Sequence, residues 1–142
     1  MPALSPRLRA VVDALPLVEG MRVIEIGCGP GAAAREVALR VGSGGQVLAV
    51  DRSATAIDQL RRSSAELIGE GRLRTRVVAA EGLTLEPDEA PYDLAFAVRV
   101  GALDGRHPEL RDRALQRISL ALVPGARLFI DGGDPLLELA LP

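Results

Sequence analysis

Between residues 23 and 31 the chain reads VIEIGCGPG, an apolar run broken only by Glu25 that ends in glycine at every second position. After Gly27, Gly29 and Gly31, residues Ala33, Ala34, Val37, Ala38 and Val41 recur at helical spacing. This is strand, tight turn, helix. Glycines in such a turn let backbone amides approach a ligand without Cβ obstruction, so the segment marks a small-molecule pocket.

The rest of the chain repeats the alternation. Ser5 and Pro6 open a helix carrying Leu8, Val11, Val12 and Leu15 on one face up to Pro16, an amphipathic lid or flank. After the turn Gly42–Gly45, Val47 to Val50 form a second buried strand that stops at Asp51. Ser53 can cap the next helix, whose face is Ile57, Leu60, Leu67 and Ile68 and whose end lies near Gly69 and Gly71. Thr75 to Ala80 reads as a third strand. The acidic, proline-bearing stretch up to Tyr92 does not predict a long helix, yet a dozen extended residues reach up to ~40 Å, enough to cross neighbouring strands. Leu94 to Val98 is a fourth strand. A helix from about Pro108 presents Leu110, Ala114, Ile118, Ala121 and Leu122 and ends at Pro124 and Gly125; Leu128 to Ile130 is a fifth strand. Continuous apolar strands alternating with amphipathic helices predict an α/β fold, a doubly wound parallel sheet of about five strands in three α/β/α layers. Ligands in such sheets lie beyond the carboxyl ends of the strands, where strand order switches direction.

Composition narrows the chemistry. With 142 residues, 48% hydrophobic and 25% charged, the expectation is one globular domain over residues 1–142. Net charge is -2, which provides no overall positive field for nucleic acid. All 17 basic residues are Arg. Without Lys there is no Schiff-base lysine, no Ser/Lys pair and no P-loop lysine. One His and one Cys cannot assemble a zinc site of the usual Cys and His type, so no metal is expected. A lone thiol forms no internal disulfide, which suits a reducing, cytoplasmic setting. The first ten residues lack a basic segment followed by an apolar stretch, and no run approaches the ~18 residues of a membrane span, so a soluble chain without a membrane partner is expected.

The glycines are spaced x-Gly-x-Gly-x-Gly, unlike the dinucleotide pattern G-x-G-x-x-G, and Glu25 sits inside the strand before them. With these features the chain resembles the class I S-adenosylmethionine-dependent methyltransferases, of Rossmann-like fold, over residues ~20 to 131. The resemblance implies S-adenosylmethionine as cofactor, bound at the turn Gly27, Cys28, Gly29 and Gly31, with Glu25 helping to orient its methionine end through the turn backbone or water. Asp51, 20 residues after Gly31, is placed where a carboxylate accepts both ribose hydroxyls, with Arg52 beside it. Where the family often has Gly-Asp-Ala against adenine, this chain has Ala80, Glu81 and Gly82, and the Gly82 amide would face a ring nitrogen. Blander readings stand beside these: a turn glycine-rich only for packing, Asp51 as a helix cap, Glu81 as a solvated acid and Cys28 as a small residue in a crowded turn.

After the fourth strand the family's methylases of exocyclic amines and glutamine amides show an Asn/Asp-Pro-Pro-aromatic segment. Here the residues are Ala97, Val98, Arg99 and Val100, which disfavours those substrates. Arg99 instead offers a charged fork for a carboxylate or phosphate on a small-molecule acceptor, or else an ion pair with local acids. His107 and Asp131 are the candidate general bases; their alternatives are a capping or surface role and a solvated turn. Family members usually add two strands after the fifth as an antiparallel hairpin. This chain is expected to lack it, leaving a bare fifth-strand edge and the tail Leu136, Leu137, Leu139, Leu141 to meet a second copy as a homodimer. Two other functions fit less of the pattern: a non-catalytic S-adenosylmethionine-binding module or partner subunit, and an NAD-dependent oxidoreductase.

Overall fold

A strand that is apolar on both faces can be satisfied only between two layers of other elements. The computed structural model, which describes residues 4–142, builds that arrangement. Five strands, β1 (Arg22–Ile26), β2 (Gln46–Asp51), β3 (Leu73–Val77), β4 (Tyr92–Ala97) and β5 (Leu122–Ile130), pair in parallel in the order β3-β2-β1-β4-β5. Successive residues of each strand feed opposite faces. Val23, Val47, Leu94 and Phe96 pack under α1 (Pro6–Ala14), α2 (Ala32–Val41) and α3 (Ala54–Ser63). Ile24, Ile26, Leu48, Val50 and Ala95 pack under α5 (Gly101–Asp104) and α6 (Arg111–Leu120). The strand order turns back between β1 and β4, so the ends of these two strands frame the crevice where such sheets take ligands. Ser5 and Ser53 cap α1 and α3, their hydroxyls accepting from the Leu8 and Ala56 amides at 3.2 Å. Among the described residues no helix is long and apolar enough to cross a membrane.

Several boundaries differ from the expectation. The helix after β2 breaks at Ser64 into α3 and the short α4 (Ala65–Gly69). The third strand occupies Leu73–Val77 rather than Thr75–Ala80, because β2 ends at Asp51, the partner of Val77, and nothing continues the ladder. Pro124 and Gly125 do not end α6, which stops at Leu120; they lie in an irregularity of β5. There the register steps from Tyr92↔Leu122 to Leu94↔Arg127, and a bulge is where a sheet tolerates Pro and Gly. A sixth strand, β6 (Leu137–Leu139), pairs antiparallel with Leu128–Ile130. One of the two further strands is therefore present, and its three residues cover the Leu128–Ile130 part of the β5 edge. The edge on which the homodimer expectation rested is thus paired within this chain over Leu128–Ile130.

The connection from β3 to β4 holds only a 3-10 turn at Ala80–Gly82 and otherwise no helix, as its prolines and acids imply. A buried carboxylate anchors it instead. Glu89 has a fully buried side chain, and its Oε2 accepts the Tyr92 hydroxyl at 2.6 Å while its Oε1 accepts the Glu86 amide at 3.0 Å. Arg76 Nη2 lies 3.0 Å from the same Oε1, though without hydrogen-bond alignment. Burial opposes ionisation of Glu89, but the Tyr92 hydroxyl, the Glu86 amide and Arg76 outweigh it and hold the carboxyl below its ordinary value. Tyr92→Phe would leave that buried oxygen without a donor, and is expected to destabilise the fold by about 2 kcal/mol in urea unfolding. Unchanged stability would mean that the strut carries no weight.

Candidate active site

Two clefts open at the carboxyl ends of the strands and meet at Gly27 and Arg99, the residues they share. One, of about 230 Å³, lies over β2 and β3 and is walled by Asp51, Arg52, Ala80, Glu81 and His107. The other, of about 390 Å³, lies against α1 and α2 and is walled by Leu8, Glu25, Cys28, Gly29 and Ala33. Together they lie in the size range of small-molecule sites.

The glycine turn is fastened to the sheet through its own backbone. The Cys28 amide donates to the Val50 carbonyl at 2.9 Å, and the Gly29 amide donates to Asp51 Oδ2 at 2.8 Å. Gly29 has φ +56, and a Cβ there would meet no protein atom within 4 Å, so the space above it is open. Gly31 has φ +90, and a Cβ there would overlap Leu60 Cδ1, so this glycine serves the packing of α3 beneath the turn. Asp51 also accepts the Ser53 amide at 2.8 Å on Oδ1. Its two oxygens thus tie together the first turn and the start of α3, each keeping a lone pair free.

Glu25 is the anomaly. It is 3% exposed, faces the larger cleft, and its Oε1 has no hydrogen-bond partner among the described residues. Burial pushes its carboxyl up to about 8; the nearby Ala34 amide works against that rise and the Asp51 charge adds to it. Cys28 is buried as well. Burial, then the Glu25 and Asp51 charges, raise its thiol further above the ordinary range, and its Sγ lies 3.3 Å from the Gly29 carbonyl. That is the small residue in a crowded turn, with no nucleophile's surroundings.

Of the residues singled out from the sequence, Gly27, Asp51, Arg52, Glu81, Arg99 and His107 line the smaller cleft, and Glu25, Gly27, Cys28, Gly29 and Arg99 line the larger. Gly82 lines neither. Its amide donates to the Ala79 carbonyl at 3.0 Å inside the 3-10 turn, so the expectation that it faces a ligand ring nitrogen is corrected. Asp131 also lines neither cleft, and both its oxygens are engaged: Oδ1 accepts the Arg99 amide at 3.0 Å and Oδ2 accepts Arg7 Nη2 at 2.7 Å. Outside both clefts, it is not placed as a general base for an acceptor bound there, which departs from that expectation. His107 stands on the rim, its side chain 56% exposed, with the ring against Gly101 and Nδ1 3.6 Å from Glu109 Oε1. The guanidinium of Arg99 makes no ion pair among the described residues, contrary to the blander reading. Sequence reasoning missed Arg106, Val78 and Ala79 among the walls of the smaller cleft. The only available signal was the apolar run leading to Ala80.

The family model described as Methyltransferase domain matches residues 23–125, the span from β1 to the β5 irregularity. Among curated proteins, the protein-L-isoaspartate O-methyltransferase of Methylorubrum populi is 34% identical over 125 residues, covering 88% of this chain and 51% of that one. The probable cobalt-precorrin-6B C(15)-methyltransferase (decarboxylating) of Pyrobaculum aerophilum is 31% identical over 88 residues, 61% of this chain and 42% of that one. The chain thus spans about half the length of these relatives. Among solved structures, an S-adenosylmethionine dependent methyltransferase from Mesorhizobium loti superposes with a TM-score of 0.66 at 26% identity, over 88% of this chain and 50% of that one. The match runs through the glycine turn, Asp51 and the strand order alike, and the chain belongs to the methyltransferase domain family, in its class I, S-adenosylmethionine-dependent branch.

Proposed function

We propose that the chain binds S-adenosylmethionine across both clefts and transfers its methyl group to a small-molecule acceptor. The observation that carries this reading is the buried, unpartnered Glu25 oxygen facing the larger cleft. It fits the α-ammonium of a methionine end, as the open space over Gly29 fits a ligand chain laid against the turn. When bound, S-adenosylmethionine supplies a methyl group already activated on a sulfonium.

The residues then have separate tasks. Glu25 holds the ammonium, Asp51 accepts from the ribose hydroxyls with its spare lone pairs, and Arg52 and Glu81 flank the base in the smaller cleft. Gly27 and Arg99, at the junction of the clefts, stand nearest the point where acceptor and donor meet. Orientation alone can supply roughly 7 to 11 kcal/mol, so no nucleophile is needed. For an acceptor that must lose a proton, His107 is the one imidazole on the rim.

Calorimetric titration with S-adenosylhomocysteine and with NAD tests the donor assignment. Micromolar binding of the first and none of the second is expected; the reverse preference would replace methyl transfer by hydride chemistry. Formation of S-adenosylhomocysteine during incubation with a panel of acceptors tests turnover. Binding without product from any acceptor would leave a donor-binding module.

A further inference from the structure

We infer that Arg99 captures an anionic group of the acceptor and that Asp131 and Arg106 are positioning residues that hold it for that purpose. This rests on the methyl-transfer reading above.

Arg99 lies two residues beyond β4 with φ +58, the only residue other than glycine with positive φ among the described residues. For a residue with a Cβ that conformation costs roughly 1–2 kcal/mol, and glycine would take it freely. The cost is borne by a clamp on both sides of the residue. Its amide donates to Asp131 Oδ1 at 3.0 Å, and its carbonyl accepts Arg106 Nη2 at 2.7 Å. The jaws are themselves fixed. Asp131 Oδ2 is paired with Arg7 at 2.7 Å, and Arg106 Nε donates to the two Asp104 oxygens at 3.0 and 2.9 Å.

Two charged side chains from different elements therefore hold in place a backbone that glycine would adopt unaided. What they retain is the arginine side chain. Its guanidinium makes no hydrogen bond or ion pair among the described residues, although Asp131 accepts its amide, Asp104 pairs with the neighbouring Arg106, and Asp51 and Glu81 line its cleft. Asp104 and Asp131 are bound to other arginines, and the Asp51 oxygens hold backbone amides. Arg99 is also the one charged residue that lines both clefts. A free, planar, always-charged fork at that junction suits a carboxylate or phosphate presented beside the transferred methyl group.

The test uses the whole chain saturated with S-adenosylhomocysteine, titrated at constant ionic strength with sodium benzoate and separately with sodium phosphate. Calorimetry and the side-chain Nε–H resonance of Arg99 are followed. One of the two anions should bind saturably, and which one does so tells carboxylate from phosphate. Arg99→Gln should weaken that anion at least ~10-fold, and Asp131→Ala or Arg106→Ala at least ~5-fold, each loss larger than the same variant shows for S-adenosylhomocysteine. A second readout concerns the clamp alone. Arg99→Gly should raise the thermal midpoint, and Asp131→Ala should lower it by less in the Arg99→Gly background than in the native one, because glycine needs no clamp. If Asp131→Ala does not fold, the same comparison is made with Arg106→Ala.

The inference is overturned if neither anion saturates, if both backgrounds lose the same midpoint, or if Arg99→Gln costs S-adenosylhomocysteine more than ~10-fold. The last result would assign the guanidinium to the donor's own carboxylate. Failure of the native chain to bind S-adenosylhomocysteine would instead refute the methyl-transfer reading.

Discussion

Asp51→Ala is expected to weaken S-adenosylhomocysteine binding by about 100-fold or more and to destabilise the empty protein by about 1–3 kcal/mol. Both effects have one origin. The carboxylate accepts the Gly29 and Ser53 amides at 2.8 Å each, so its loss strands two backbone donors and frees the turn that shapes the larger cleft. The ribose would also lose its acceptor, and two charge-assisted hydrogen bonds at ~1.4 kcal/mol apiece already account for the 100-fold. Asp51→Asn keeps one acceptor oxygen and should lie between the two. Calorimetry and thermal unfolding measure the two effects separately; an affinity within threefold of the native chain would remove Asp51 from the site.

The second large effect belongs to Glu25. With its carboxyl pushed up to about 8 from an ordinary 4.5, the empty fold keeps a proton that the unfolded chain has released across that interval. Stability of the empty protein therefore falls as pH rises from about 4.5 to about 8. Glu25→Gln should flatten that dependence and stabilise the empty protein above pH 8 by on the order of 3 kcal/mol. Ligand binding has the opposite slope. An ammonium needs the ionised carboxylate, so S-adenosylhomocysteine should bind at least ~10-fold more tightly at pH 8 than at pH 6, with release of a proton, and the variant should lose both the slope and most of the affinity. Titrations in buffers of different ionisation enthalpy would show the proton. A pH-independent affinity would mean that nothing cationic approaches Glu25. Asp51, Cys28, Arg7 and Arg99 share that cleft or its edge, so the same titration in Asp51→Asn shows how much of the slope is theirs.

The parts of the fold that were legible were those whose signal is local. β1, the turn, α2, β2 and the Ser53 cap follow from apolar runs, glycines and a hydroxyl, and they supply much of the lining of the larger cleft. Boundaries set by a neighbour were not. Val77 to Ala80 is apolar enough to continue a strand, but β3 ends where β2 ends. Pro124 and Gly125 look like a helix stop and instead occupy a bulge. Gly101–Asp104 is too short to show any period, and Leu137–Leu139, although alternating, is only three residues long. The site divides the same way. Asp51 could be placed by its distance from Gly31, whereas the engagement of Asp131 depends on Arg7, 124 residues away, and no local pattern announces it.

The meeting of the two clefts at Gly27 and Arg99 has a consequence for how such a chain can change over time. It joins a mainly apolar cleft holding the buried Glu25 to a more polar one lined by Asp51, Glu81 and three arginines, so a ligand spanning both would be gripped as two fragments by different chemistries. Mutation on one side need not disturb the grip on the other. Adenosine and methionine offered as loose pieces should each settle weakly in their own chamber, and the covalent tether between them supplies the rest of the affinity by raising the local concentration of the second piece.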